Sequence, residues 1–166
     1  MNIAETYPNE VKAIFAKYPV KRSAVMPLLY LAQRNDGFIT KDGMAEIASM
    51  LKLDVTEVAS IVGFYSMYHD EKAGKYRMQV CNDLPCALRG ADKFLEALCT
   101  NLGVKVGETT PDGLLTVEAV MCLAACDKAP MFQLQENDKV TYHENMTVDK
   151  TMELIEALKK AQEVKA

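Results

Sequence analysis

Two short cysteine pairs set the tightest limit on how this chain folds. Cys81-Asn-Asp-Leu-Pro-Cys86 is a C-x4-C run and Cys122-Leu-Ala-Ala-Cys126 is a C-x3-C run, with 35 residues between them. Residues 75–80 read KYRMQV, a short strand that ends directly at Cys81. Residues 115–121 alternate as a second strand, which ends at Cys122. Each pair therefore begins where a strand is predicted to end, and all four sulfurs are able to emerge at one edge of a sheet. The fifth cysteine, Cys99, falls mid-helix in an apolar stripe, where a small buried thiol is common.

An odd number of cysteines argues against a complete disulfide framework, and close spacing favours metal ligation or redox chemistry in a reducing compartment. A two-iron cluster needs four thiolates, two per iron, arriving from loops that approach closely. Cys81, Cys86, Cys122 and Cys126 meet that need as cofactor-binding and metal ligands, with Cys81 and Cys86 expected on one iron. Three readings compete, and one of them, unrelated free cysteines, accounts for any one position but not for four at strand ends. Structural zinc usually takes tighter knuckles, which one C-x4-C and one C-x3-C match poorly. A redox dithiol wants C-x-x-C at the start of a helix, and the chain has no such pair.

Before residue 70 the pattern is helical throughout. Val11, Ile14, Phe15 and Tyr18 share one helical face. A second helix is predicted over residues 23–35, carrying Met26, Leu28, Leu29 and Leu31, with Gly37 placed to end it. Thr40 is placed to cap a third helix, striped by Met44, Ile47, Ala48 and Leu51. Asp54 does the same for a fourth, striped by Val55, Val58, Ala59 and Val62. Short links between such helices suggest a small bundle.

After residue 75 the order is strand, helix, strand, strand, strand, helix. The first helix is predicted over residues 87–101 as one piece, with Leu95, Leu98, Cys99 and Leu102 buried. Residues 131–135 and 139–143 read as a hairpin across Glu136-Asn137-Asp138, and Thr147 is placed to cap the last helix. The predicted class is α+β: an N-terminal helical bundle over residues 1–70, then a thioredoxin-like α/β domain with a mixed sheet over residues 75–166.

A net charge of −4 supplies no basic field for nucleic acid. No apolar run approaches the ~20 residues that span a bilayer, so direct membrane insertion is not expected. The opening MNIAETYPNEVKAIF has neither a secretory nor a transit pattern, which leads us to expect a cytoplasmic protein. The eight glycines are dispersed, with no G-x-G-x-x-G and no P-loop, so the chain should hold no dinucleotide of its own. The ten methionines read as adaptable core filler.

Cys81-Asn-Asp-Leu-Pro-Cys86-Ala-Leu-Arg-Gly, Gly107-Glu-Thr-Thr-Pro-Asp-Gly and Cys122-Leu-Ala-Ala-Cys126-Asp-Lys-Ala-Pro resemble the thioredoxin-like [2Fe–2S] subunit of respiratory complex I, NADH:quinone oxidoreductase. In the helical half, Ala32-Gln-Arg-Asn-Asp-Gly-Phe and Val62-Gly-Phe-Tyr-Ser-Met-Tyr are similar to stretches of the same family, so the likeness runs from about residue 10 to 160. One departure is Ala124, where the family commonly has glycine.

The resemblance implies an electron-transfer subunit of NADH dehydrogenase (quinone) that has no catalytic residues of its own. It carries one [2Fe–2S] cluster and takes single electrons from FMN. FMN and NADH belong to a partner, the flavin- and NADH-binding subunit, in the peripheral arm of the complex on the cytoplasmic side. Alternatives are the equivalent subunit of a NAD-linked hydrogenase or formate dehydrogenase, a free-standing ferredoxin, and a zinc-stabilised interaction module. Thioredoxin-like folds often place a cis-proline ahead of the third strand, so the Ala129–Pro130 bond is expected to be cis. The segment Phe64-Tyr65-Ser66-Met67-Tyr68-His69 is the candidate contact of the helical half with the partner.

Overall fold

A computed structural model describes residues 2–137 and 139–163. The chain divides into two compact units, Met1–Lys72 and Ala73–Ala166.

The first unit is all helical. It runs α1 (Ile3–Thr6), α2 (Pro8–Lys17), a 3-10 turn (Lys21–Ala24) leading straight into α3 (Val25–Asp36), α4 (Lys41–Leu51) and α5 (Val55–Phe64). Local chemistry sets the ends. The Asn2 side chain accepts from Glu5 N–H to start α1, and Pro8 occupies the first turn of α2, where a missing N–H costs nothing. Gly37, at φ +78°, ends α3 in a left-handed turn that side chains rarely adopt. Thr40 Oγ1 accepts from Gly43 N–H at 3.0 Å to open α4. At α5, Asp54 accepts from Thr56 N–H at 2.8 Å while Glu57 reaches back to the Asp54 N–H at 3.2 Å, a reciprocal capping box.

Leu28, Leu29, Ile39, Ile47 and Val58 lie fully buried at the centre of this unit. Two expected stripes are narrower than the sequence pattern suggested. Met26 on α3 and Val55 and Ala59 on α5 face water, and α5 turns Val58 and Val62 inward, with Ile61 half-buried beside them. Val55 sits in the first turn, beside the exposed cap, where the helix has little packed against it. The segment after α5 folds back on α3: Tyr68 Oη donates to the Met26 carbonyl at 2.9 Å, and Gln33 pairs with both Met67 O and His69 N–H.

The second unit has a four-stranded mixed sheet. Its elements are β1 (Tyr76–Cys81), α6 (Leu84–Leu88), α7 (Ala91–Leu102), β2 (Leu115–Val120), β3 (Phe132–Glu136), β4 (Lys139–His143) and α8 (Val148–Glu163). Strand order is β2-β1-β3-β4. β1 and β2 run parallel, from Tyr76 opposite Leu115 to Cys81 opposite Val120, and the other two pairings are antiparallel. A parallel pair needs a crossover, which α6 and α7 supply. Period-two alternation turns Tyr76, Met78 and Val80 of β1, Leu115 and Val117 of β2, and Phe132 and Leu134 of β3 into one apolar core. Phe94, Leu95 and Leu98 of α7 and Ile155 of α8 pack into it.

On the opposite face Gln79, Thr116 and Gln133 are buried but hydrogen-bonded: Gln79 Nε2 donates to Glu118 at 2.8 Å, Gln133 Nε2 donates to Gln79, and Arg77 is ion-paired with Glu118. Thr147 Oγ1 accepts from Lys150 N–H at 3.3 Å to cap α8. Of the turn expected at 136–138, Asp138 lies outside the described residues.

The single helix expected over 87–101 is instead two. α6 stops at Leu88, and α7 restarts at Ala91 after Gly90, whose φ of +93° no helix accommodates. The break changes the setting of the first cysteine pair, because Cys86 now lies inside a short helix rather than in a loop ahead of a long one.

Candidate iron–sulfur site

Cys81 is the last residue of β1, on the same side of the strand as Gln79, and its N–H donates to Met131 O at 3.2 Å. The chain then turns through Asn82 into Asp83, whose side chain accepts from Leu84 N–H at 2.9 Å and starts α6, with Pro85 in the first turn. One turn of helix carries Cys86 into the interior, where it is completely buried. The Cys86 thiol is pushed up to about 12, first by burial and then by the Cys81 and Cys126 sulfurs beside it. Neutral, it packs; as a thiolate among thiolates it would need a cation.

The second pair arrives differently. β2 ends at Val120, one residue earlier than the alternation suggested, so Cys122 lies beyond the sheet and is exposed. The loop is left-handed at two non-glycine residues, Cys122 (φ +31°) and Ala124 (φ +57°). The methyl of Ala124 occupies a backbone region that glycine enters freely, so the departure from the usual glycine is a point of local strain. Cys126 opens a 3-10 turn (Cys126–Lys128), and the Ala129–Pro130 bond that follows is cis. Cys81, Cys86, Ala91, Ala129 and Met131 form a small separate core, with Leu123, Ala125 and Cys126 packed on it.

Three of the four sulfurs are thus gathered, and Cys122 stands outside on the loop it shares with Cys126. All five cysteines are free thiols. Among the described residues, no three cysteine, histidine or carboxylate side chains already stand in a metal-binding arrangement. The donor chemistry nonetheless fits a cluster: four soft sulfur ligands select iron–sulfur or zinc over hard cations, and the fourth is within one short loop of the third. Cys99 is elsewhere, on α7 in the main core, its thiol pushed up by burial and then by the Glu108 carboxylate.

Sequence reasoning overlooked the surroundings of the site. Leu84 and Leu88, one turn apart on α6, are 69% and 81% exposed, and Met121, directly before Cys122, is 79% exposed. Their signal lay in the break at Gly90, which confines Leu84 and Leu88 to a helix too short to have a buried face of its own. Arg89, also overlooked, donates from Nε to the Ala129 carbonyl at 3.3 Å.

The family model of thioredoxin-like [2Fe–2S] ferredoxins matches residues 11–159. One of the E subunits of NADH-quinone oxidoreductase in Rhizobium meliloti, the second of that type, is 36% identical over 159 residues, covering 96% of this chain and 92% of that protein. The E subunit of the Rickettsia conorii enzyme is 39% identical over 153 residues, covering 90% and 89%. Its Mycobacterium bovis counterpart is 36% identical over 150 residues, and this chain spans 58% of its greater length. Among solved structures, an NAD+-reducing [NiFe]-hydrogenase in the air-oxidised state superposes with a TM-score of 0.61 at 19% identity, over 72% of this chain and 20% of the other, which is a likeness of fold. With its mixed sheet, its two cysteine pairs and these homologues, the chain belongs to the thioredoxin-like [2Fe–2S] ferredoxin family, alongside the E subunits of NADH-quinone oxidoreductases.

Proposed function

We propose that this protein is the electron-transfer subunit of an NADH:quinone oxidoreductase, with one [2Fe–2S] cluster held by Cys81, Cys86, Cys122 and Cys126. The observation that carries the reading is the meeting of Cys81, Cys86 and Cys126 at the end of β1, with Cys122 on the same loop as Cys126. When bound, such a cluster takes up and returns one electron at a time. The chain's own residues hold and shield it. Cys86 and Cys81 are buried in a small core with Ala91, Ala129 and Met131, which would keep water from that side of the group.

FMN and NADH belong to a partner subunit, and this chain is not catalytic by itself. The partner covers the exposed Leu84, Leu88 and Met121 beside the cysteines, and contacts the helical unit through Phe64, Tyr65 and Met67, which are 81%, 42% and 44% exposed. Tyr68, pinned to Met26, serves the helical core instead. Among the described residues no helix is long and apolar enough to cross a membrane. On this reading the protein sits in the peripheral arm of the complex, on the cytoplasmic side.

The test combines spectroscopy and reconstitution. Purified protein reduced with dithionite should give the EPR signal of a reduced two-iron cluster. Cys→Ser at any of the four positions should abolish or strongly weaken that signal, and Cys99→Ala should keep it. With the flavoprotein added, NADH should reduce the cluster; without it, the cluster should stay oxidised. Reduction by NADH alone would overturn the division of labour. A colourless, zinc-loaded protein would overturn the cluster, and co-purification with a hydrogenase or formate dehydrogenase flavoprotein would move the chain to that complex.

A further inference from the structure

The two cysteine segments are joined by more than the sheet. Arg89 lies three residues past Cys86, and its N–H donates to the Cys86 carbonyl at 3.0 Å, so its backbone is part of the first segment. Ala129 lies three residues past Cys126, and its N–H donates to the Cys126 carbonyl at 3.4 Å, which makes it part of the second. Between these matched positions runs the bond from Arg89 Nε to Ala129 O, at 3.3 Å. Ala129 is only 4% exposed, so its carbonyl has little water to turn to if the donor is lost, and a buried acceptor without a partner is costly. Arginine carries its positive charge on a planar guanidinium, and here that group is held at the rim of a site that collects four cysteines.

We propose that Arg89 is a positioning residue of this site. It ties the Cys126–Pro130 segment to the Cys81–Cys86 segment, and it keeps a fixed positive charge where added negative charge must be accommodated. The inference rests on the cluster assignment above. Its two roles separate by substitution. Lysine keeps the charge but lacks the planar fork and the Nε donor. Glutamine removes the charge, and alanine removes both features.

The experiment uses the full chain with its cluster. Release of iron to a ferrous chelator is timed, and the midpoint potential is measured by EPR-monitored titration. Arg89→Lys and Arg89→Ala should both lose iron faster, by about tenfold, as removal of a supporting contact around a metal site commonly does. The potential should move to more negative values in Arg89→Ala and Arg89→Gln and stay near wild type in Arg89→Lys. If Arg89→Ala does not fold, the Lys and Gln variants carry the test between them. Wild-type release rates in the substituted proteins overturn the tie, and a potential that is the same in Gln and Lys variants overturns the role of the charge. A wild-type protein that takes up no two-iron cluster refutes the assignment of function itself, an outcome visible before any Arg89 variant is made.

Discussion

The helical unit and the sheet unit hide their interiors by different means. In the first, side chains from α3, α4 and α5 close around Leu28, Leu29, Ile47 and Val58, and the helix ends are finished by Thr40, Gly37 and the Asp54–Glu57 pair. Apolar burial and caps suffice there. In the second, the main core under α7 and α8 is just as apolar, but the end of the sheet is closed by a separate small core built around Cys81 and Cys86. A unit finished with leucines is complete as a polypeptide. One finished with sulfur is expected to gain stability from what the sulfur binds, since cysteines that lose their protons side by side would repel unless a cation joined them.

Iron removal should expose that contrast most strongly. Chelation is expected to lower the melting temperature of residues 75–166 by well over ten degrees while residues 1–70 keep theirs, as read by hydrogen exchange resolved along the chain. The expectation treats the two regions as independent domains, and simultaneous loss of protection in both would refute it.

Core truncation is next in size. Ile47→Ala and Leu98→Ala each delete a fully buried side chain, one per unit, and each should cost about 2–5 kcal/mol. Denaturant melts of the holoprotein should place each loss in its own unit.

A smaller effect, of opposite sign, is expected at Ala124. Its φ of +57° suits glycine, so Ala124→Gly should stabilise the holoprotein by about 1 kcal/mol. A lower melting temperature in that variant would mean that the methyl is used in packing.

The smallest is a pH effect confined to the helical unit. Hydrogen bonds from Thr56 hold the Asp54 carboxyl below its ordinary range, and the Asp54 N–H and then Arg22 do the same for Glu57. Both groups therefore contribute stability that is present above the ordinary carboxylate range and fades as pH falls below about 4.5. Acid titration of Asp54→Ala should show a shallower loss in this unit than wild type.

Much of this contrast was legible in the residues. Thr40, Asp54 and Thr147 announce their helices because a short oxygen-bearing side chain ahead of an apolar stripe has few other uses. The β3–β4 hairpin follows from two strand-forming runs on either side of a polar turn, and β1 reaches Cys81 as its short strand pattern suggested. Gly90 escaped notice because the stripe that marks the helix, Leu95, Leu98, Cys99 and Leu102, lies wholly beyond it, so periodicity did not fix where the helix begins. Val55 misled for a related reason: periodicity tells which residues share a face, and packing decides where along the helix that face is covered. The exposure of Cys122 was beyond spacing altogether, since it depends on backbone angles in a five-residue loop and on where β2 stops.

The exposed side chains on α6 have a consequence for how the protein is supplied in a cell. Leu84 and Leu88 meet water on a helix of five residues, and apolar surface held in water adheres to whatever apolar surface it encounters. A chain waiting for its counterpart is therefore in a race between correct pairing and clumping with its own kind. The outcome turns on numbers: copies made in excess have nowhere to put those leucines, so the soluble yield should track the ratio of the two polypeptides rather than the amount of either one.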